Sequence, residues 1–301
     1  MNNRSKKGIA LLITLFFIMA ITVSIGVGLK QLKDASNSIE GENFLLQSNM
    51  ILDDVLRILQ NDKNLEEIAK DDSGEAFSVF LSQASFIPFE SSGIKVVMEL
   101  KSARSKFNVN AINSRNIFFL KQYVGRYMVS GDYVDILQDF THGNRNNQEE
   151  ISYNSDIFYT KPELFREYIV SRKHLDEINE FYTTTYHDNS LKNINFKNLF
   201  YYSNDANYKI DLNHATPDVW EMMLGCDKIR ARELSSGVYE KMDDIVLSDD
   251  EKRVLRTAFK TSFFEPYLDV SVEIIQNSQS AKISFEYNMK TKKGYNFVYE
   301  I

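Results

Sequence analysis

From Gly8 to Leu29 the chain carries no charged side chain, reading GIALLITLFFIMAITVSIGVGL. A helix of about twenty apolar residues spans the hydrocarbon of a bilayer, so residues 9–29 are predicted to cross a membrane. Arg4, Lys6 and Lys7 lie just before the run. Basic residues stay on the cytoplasmic side of a span, which puts the leader inside and the rest of the chain beyond the membrane. Past Lys30, Leu32, Ala35, Ile39, Leu46, Met50, Val55 and Leu59 form one apolar stripe. Those spacings predict a single uninterrupted helix over 9–60. Within its membrane part Ala20, Ser24 and Gly28 fall four apart, a spacing that lets helices approach closely in lipid. A secretory signal peptide has a shorter apolar region and a small-x-small cleavage site, offered here only by Ala20, Thr22 and Ser24. A plain membrane anchor is the simplest alternative.

The pattern then changes period. Residues 61–74 are polar and read as a loop with a short helix. Phe77 to Phe86 fits helix or strand. Gly93 opens Ile94 to Leu100, whose alternation predicts a strand, and Phe107 to Asn110 would complete a hairpin lying on the long helix. Helical patterns follow over 112–128 and 133–140, and from Pro162 through Ile169. A short helix is expected over 196–201. After Glu265 and Pro266, the stretches 268–275, 281–287 and 295–301 alternate as three strands with turns at 277–279 and 292–294.

Composition narrows the class. Hydrophobic residues are 43% and charged residues 26% of 301, an ordinary balance for a packed protein. The net charge is −7, and loss of Arg4, Lys6 and Lys7 would take it to −10. That exterior does not suit non-specific nucleic-acid binding, which draws on clustered cations. Cys226, the one cysteine, excludes an internal disulfide. The four histidines are scattered, and HExxH, GxSxG, P-loop and GxGxxG patterns are absent, so no enzyme is expected. The acid pairs at 176–177 and 243–244 read as helix-surface charge, and Trp220 reads as core.

A weak repeat links Phe107-Asn-Val-Asn-Ala-Ile112 to Ile210-Asp-Leu-Asn-His-Ala215, and His174-Leu-Asp-Glu-Ile178 to Lys241-Met-Asp-Asp-Ile245. In the first pair an extended triplet ends at an asparagine, whose side chain can bond the backbone and turn the chain into a helix. Thr216, Pro217 and Asp218 then supply cap, first-turn proline and first-turn acid, with Val219, Met222 and Met223 facing inward.

Lys6-Lys7-Gly8 followed at once by Ile9 resembles the class III leader of type IV pilins and type II secretion pseudopilins. The resemblance implies cleavage between Gly8 and Ile9 and methylation of Ile9. Most such subunits carry a glutamate five residues into the mature chain, where this one has Ile13. In the family that acid is thought to pair with the amine of the subunit above, so Ile13 suits a place with nothing above it, since an unpaired charge in lipid is costly. Asp211 to Leu224 is similar to the "NLNTAxxEVLxxL" segment of the general secretion pathway protein K family. Phe107 to Asn110 resembles its earlier "NLN" segment, and Tyr133 to Phe140 its "LVDALxDW" helix.

That resemblance implies an α+β fold: a long N-terminal membrane-spanning helix, a small pilin-like antiparallel sheet, and a large inserted helical domain. The expected divisions are a leader over 1–8, the membrane part over 9–29, a head from 75–106 and 266–301, and the insertion over 107–265. It implies a minor pseudopilin at the tip of a secretion, pilus or competence pseudopilus, in the inner membrane with its head in the periplasm. Expected partners are the other minor pseudopilins, the major pseudopilin, the prepilin peptidase, the inner-membrane assembly platform and membrane lipid. Family members bind calcium in an acidic loop. Here that region keeps Asp139, Glu149 and Glu150 but interposes His142, Asn144 and Asn147, so a weakened or lost calcium site is expected and no other cofactor.

Asp211 to Trp220 also resembles the opening of helix-hairpin-helix modules in competence DNA receptors, which makes a membrane-anchored DNA receptor the alternative. Lys228, Arg230 and Arg232 are the nearby cations, while Asp243, Asp244, Asp249, Asp250 and Glu251 would repel phosphate.

Overall fold

The computed structural model describes residues 40–70, 74–91, 93–141, 153–276 and 279–300. The chain divides into two compact units, one made of Met1–Ala103 with Pro266–Ile301 and the other of Arg104–Glu265. In chain order the strands among the described residues are β1 (Phe86–Ser91), β2 (Ile94–Ser102), β3 (Phe107–Asn108), β4 (Phe200–Tyr201), β5 (Ile210–Asp211), β6 (Thr261–Ser262), β7 (Tyr267–Gln276), β8 (Gln279–Asn288) and β9 (Lys293–Glu300).

The first unit is a five-stranded sheet of order β1-β2-β7-β8-β9, antiparallel throughout. Alternation sets its faces. Ile94, Val96, Met98 and Leu100 of β2, Leu268, Val270, Val272 and Ile274 of β7, and Ala281, Ile283 and Phe285 of β8 are all buried. The helix Glu40–Asn61 packs on β7 and β8. Its buried apolar residues are Phe44, Ile51, Leu52, Val55, Ile58 and Leu59. That corrects the predicted stripe: Val55 and Leu59 belong to it, but Leu46 is 59% and Met50 41% exposed. The buried set follows the 3.6-residue turn from Phe44, and Leu46 and Met50 fall outside that arc.

The hairpin partner of β2 is also different from expectation. Phe107–Asn108 pairs with Phe200–Tyr201 in a two-stranded parallel ladder, and β2 pairs with β1. Phe77 to Phe86 resolves into the helix Glu75–Ala84 followed by β1. Pro88 hid β1 in the sequence, because proline is tolerated only where a strand lies at a sheet edge, as this one does.

The second unit packs the helices Ile117–Arg126, Asp132–Thr141, Arg172–Tyr186, Pro217–Leu224, Lys228–Ser235 and Asp249–Ala258 around one apolar core. Trp220, Tyr123, Tyr133 and Tyr182 sit in it, each at most 1% exposed. The helix predicted over 112–128 starts late because Asn113 and Asn116 bind the preceding backbone: Asn116 accepts the Asn113 N–H at 2.8 Å and donates to the Ala111 carbonyl at 2.9 Å. The helix predicted from Pro162 does not form. A short helix, Ile157–Thr160, ends before it, and Arg166 donates to the carbonyls of Phe158 and Pro162 while lying 4.9 Å over the Phe158 ring. Those bonds hold 162–169 irregular.

Gly237 marks a close approach in this unit. A Cβ there would come within 2.1 Å of the Cζ and the hydroxyl oxygen of Tyr239, whose hydroxyl donates to the Leu234 carbonyl at 2.9 Å. Gly237→Ala must displace that buried ring and is expected to cost about 1–3 kcal/mol by urea unfolding, as over-packed sites do.

Candidate functional site

The two asparagine triplets build matching clamps. Asn110 accepts the Ile169 N–H at 2.8 Å and donates to the carbonyls of Ile169 and Ser203 at 2.9 and 3.2 Å. Asn213 accepts the Tyr239 N–H at 2.7 Å and donates to the carbonyls of Tyr239 and Phe263 at 2.9 and 2.6 Å. Two residues upstream in each copy, Asn108 and Asp211 accept the N–H of Asn110 and Asn213 in the same turn. Each copy therefore fixes one strand of a parallel pair and one distant extended segment with a single amide. The repeat is a structural device used twice, and it positions the segments that follow.

After the second clamp, Thr216 caps the helix Pro217–Leu224 by accepting the Val219 N–H at 3.3 Å. Val219, Met222 and Met223 face inward as expected. Gly225 ends the helix at φ +63, a left-handed position that costs glycine little. A three-residue hairpin then enters the helix Lys228–Ser235. Two helices thus flank a short hairpin, and several of its polar groups are already engaged. Arg126 donates to the carbonyls of Gly225 and Cys226. Asp227 accepts the N–H groups of Ile229 and Arg230, both at 2.9 Å. Lys228 lies 5.0 Å over the Tyr127 ring, and Arg230 pairs with Glu251 at 2.9 Å. A phosphate would have to displace a carboxylate from the helix N-terminus, where the free amides of such hairpins normally take it. Burial pushes the Cys226 thiol up, away from the reactive thiolate.

Asp139 is 2% exposed in the helix Asp132–Thr141. Its carboxylate accepts from the Asn154 N–H at 2.7 Å and side-chain amide at 2.9 Å, and from the Ser155 N–H at 3.0 Å and hydroxyl at 2.6 Å. Four donors fill the positions a carboxylate offers. Glu149 and Glu150 lie outside the described residues, as do Arg4, Lys6, Lys7, Gly8, Ile9, Ile13, Ala20, Ser24 and Gly28. Among the described residues no three His, Cys, Asp or Glu side chains come together as a metal site. Among them, too, no helix is long and apolar enough to cross a membrane.

His174 is buried against the edge of Phe140, with Nδ1 accepting the Val170 N–H at 3.3 Å. Burial holds its ring below the ordinary value of 6.5, opposed by Glu177. A depressed histidine contributes stability above its unfolded pKa and loses it as pH falls, because the unfolded chain takes up the proton more readily. Stability is therefore expected to decline from about pH 7 to pH 5, and His174→Phe to flatten that decline in urea titrations at each pH.

No family model and no curated protein matches this chain. Among solved structures it is similar to GspK in the GspK–GspI–GspJ complex of the type 2 secretion system of enterotoxigenic Escherichia coli. The likeness has a TM-score of 0.58 at 14% sequence identity and covers 86% of this chain and 96% of that one. The fold is thus GspK-like, in both the antiparallel sheet and the helical unit.

Proposed function

We propose that this chain is a minor pseudopilin that caps the tip of a type II secretion-type, or related pilus or competence, pseudopilus and acts by assembly rather than catalysis. The carrying observation is the GspK-like fold over nearly all of that protein's length. The leader pattern at Lys6-Lys7-Gly8-Ile9 supports it independently. On this reading the peptidase frees Ile9, and the apolar stretch 9–29 leaves the bilayer with the tip. Ile13 offers no carboxylate to a subunit above. GspK is solved with GspI and GspJ, and we take two other minor pseudopilins as the first partners here.

The test is position along the filament. Met128 is 85% exposed, whereas Cys226 is buried, so Met128→Cys gives one labelling site. In cells overproducing the pseudopilus, gold on that cysteine should appear at one filament end. Label spaced along the shaft would overturn the proposal. DNA uptake by direct binding is not favoured: the purified chain is expected to give no salt-sensitive shift with duplex DNA, because Asp227 and Glu251 occupy the groups a phosphate needs.

A further inference from the structure

Beside the helix Lys228–Ser235 lies an open groove of about 490 Å³. Its floor is apolar, made by the largely buried Leu234 and Tyr239. Two aliphatic side chains stand up at its sides, Ile229 at 70% and Val246 at 90% exposure. Val238, nearby in sequence, is another 65% exposed. Singly scattered exposed aliphatics are ordinary, whereas these two line one concavity with an apolar floor.

Three of the groove's four charged lining residues are acids. Asp227, Glu233 and Asp244 line it and are exposed. The lining cation, Arg230, is held by Glu251 at 2.9 Å and by the Val246 carbonyl at 3.3 Å. Its charge is thereby spent within the protein, and the groove presents carboxylates around an apolar centre.

We infer that this groove takes a segment of another polypeptide in which an aliphatic side chain is flanked by lysines or arginines. The aliphatic group covers Ile229, Val246, Leu234 and Tyr239, and the flanking cations meet Asp227, Glu233 and Asp244. Complementary charge at the rim steers the encounter and rejects acidic partners. A nucleic acid is excluded by the same rim. The inference stands on the groove's own chemistry and holds whether or not the chain caps a filament.

The experiment uses the full chain in neutral detergent and two synthetic heptapeptides. Each carries a photoreactive leucine between two aliphatic residues, one flanked by paired lysines and the other by paired glutamates. After irradiation the attachment site is mapped by mass spectrometry, so adsorption to the micelle does not count. The lysine peptide is expected to attach within residues 227–246. The yield should fall about fivefold or more in Val246→Ser and in Glu233→Lys, each removing roughly 1 kcal/mol of apolar or charge contact. Both positions are exposed, so neither variant disturbs the core. The glutamate peptide should attach weakly or not at all. Equal labelling by the two peptides, attachment elsewhere, or yields unchanged by either variant would overturn the assignment.

Discussion

Replacing Asn213 by alanine should lower the stability of the 104–265 unit by about 3–4 kcal/mol, the sum of three lost hydrogen bonds at roughly 1 kcal/mol each and the strain of leaving their partners buried. The amide joins Tyr239 and Phe263, which are 26 and 50 residues away along the chain. At 9% exposure little water can replace it. For a unit of this size the midpoint of thermal unfolding should fall by about 10 °C. Asn213→Asp is expected to be no milder, because its second oxygen would face the carbonyls of Tyr239 and Phe263. Asn110→Ala should reproduce the loss through Ile169 and Ser203, since it makes the same three bonds. The two clamps share no partner, so the double variant should lose the sum. A melting midpoint within a degree or two of the parent for either single variant would mean that the clamps are incidental.

Asp139→Ala should cost a similar amount, about 3 kcal/mol, because it strands four donors on Asn154 and Ser155 at once. Its signature lies in the metal response. If the carboxylate serves as a fixed acceptor for Asn154 and Ser155, the parent's melting midpoint should be the same in calcium and in chelator. Calcium should not rescue the variant either. A rise of several degrees in the parent on adding calcium would show instead that a metal stabilises this part of the chain, since a ligand bound to the native state alone raises its stability by mass action. Asp139→Asn keeps one acceptor oxygen and should fall between parent and alanine.

Strands with strict alternation were legible in the sequence. Ile94 to Leu100, 268–275 and 281–287 lie inside β2, β7 and β8, because burial on one face imposes a two-residue period that survives in the residue types. β1 was not legible, since Pro88 reads as a breaker and only its place at the edge makes it harmless. The stripe on the helix Glu40–Asn61 was read only in part: Val55 and Leu59 are buried, whereas Leu46 and Met50 are apolar yet exposed. Apolar type does not by itself report burial. The similarity of 107–112 to 210–215 was visible, but not its use. The partners of Asn110 and Asn213 come from segments with no motif of their own, so no local pattern announces a clamp. Asp227 illustrates the same limit from the other side. In the sequence it is one acid two residues after a glycine, and only the structure reveals its bonds to the Ile229 and Arg230 N–H groups.

The assembly account turns on what becomes of the leader. The direct measurement is mass spectrometry of the amino terminus of the protein recovered from membranes of cells with an active prepilin peptidase. A chain beginning at Ile9 with a methylated amine is the expected result. A chain that keeps Met1, Arg4, Lys6 and Lys7 would contradict the account and leave an anchored protein that never enters a filament.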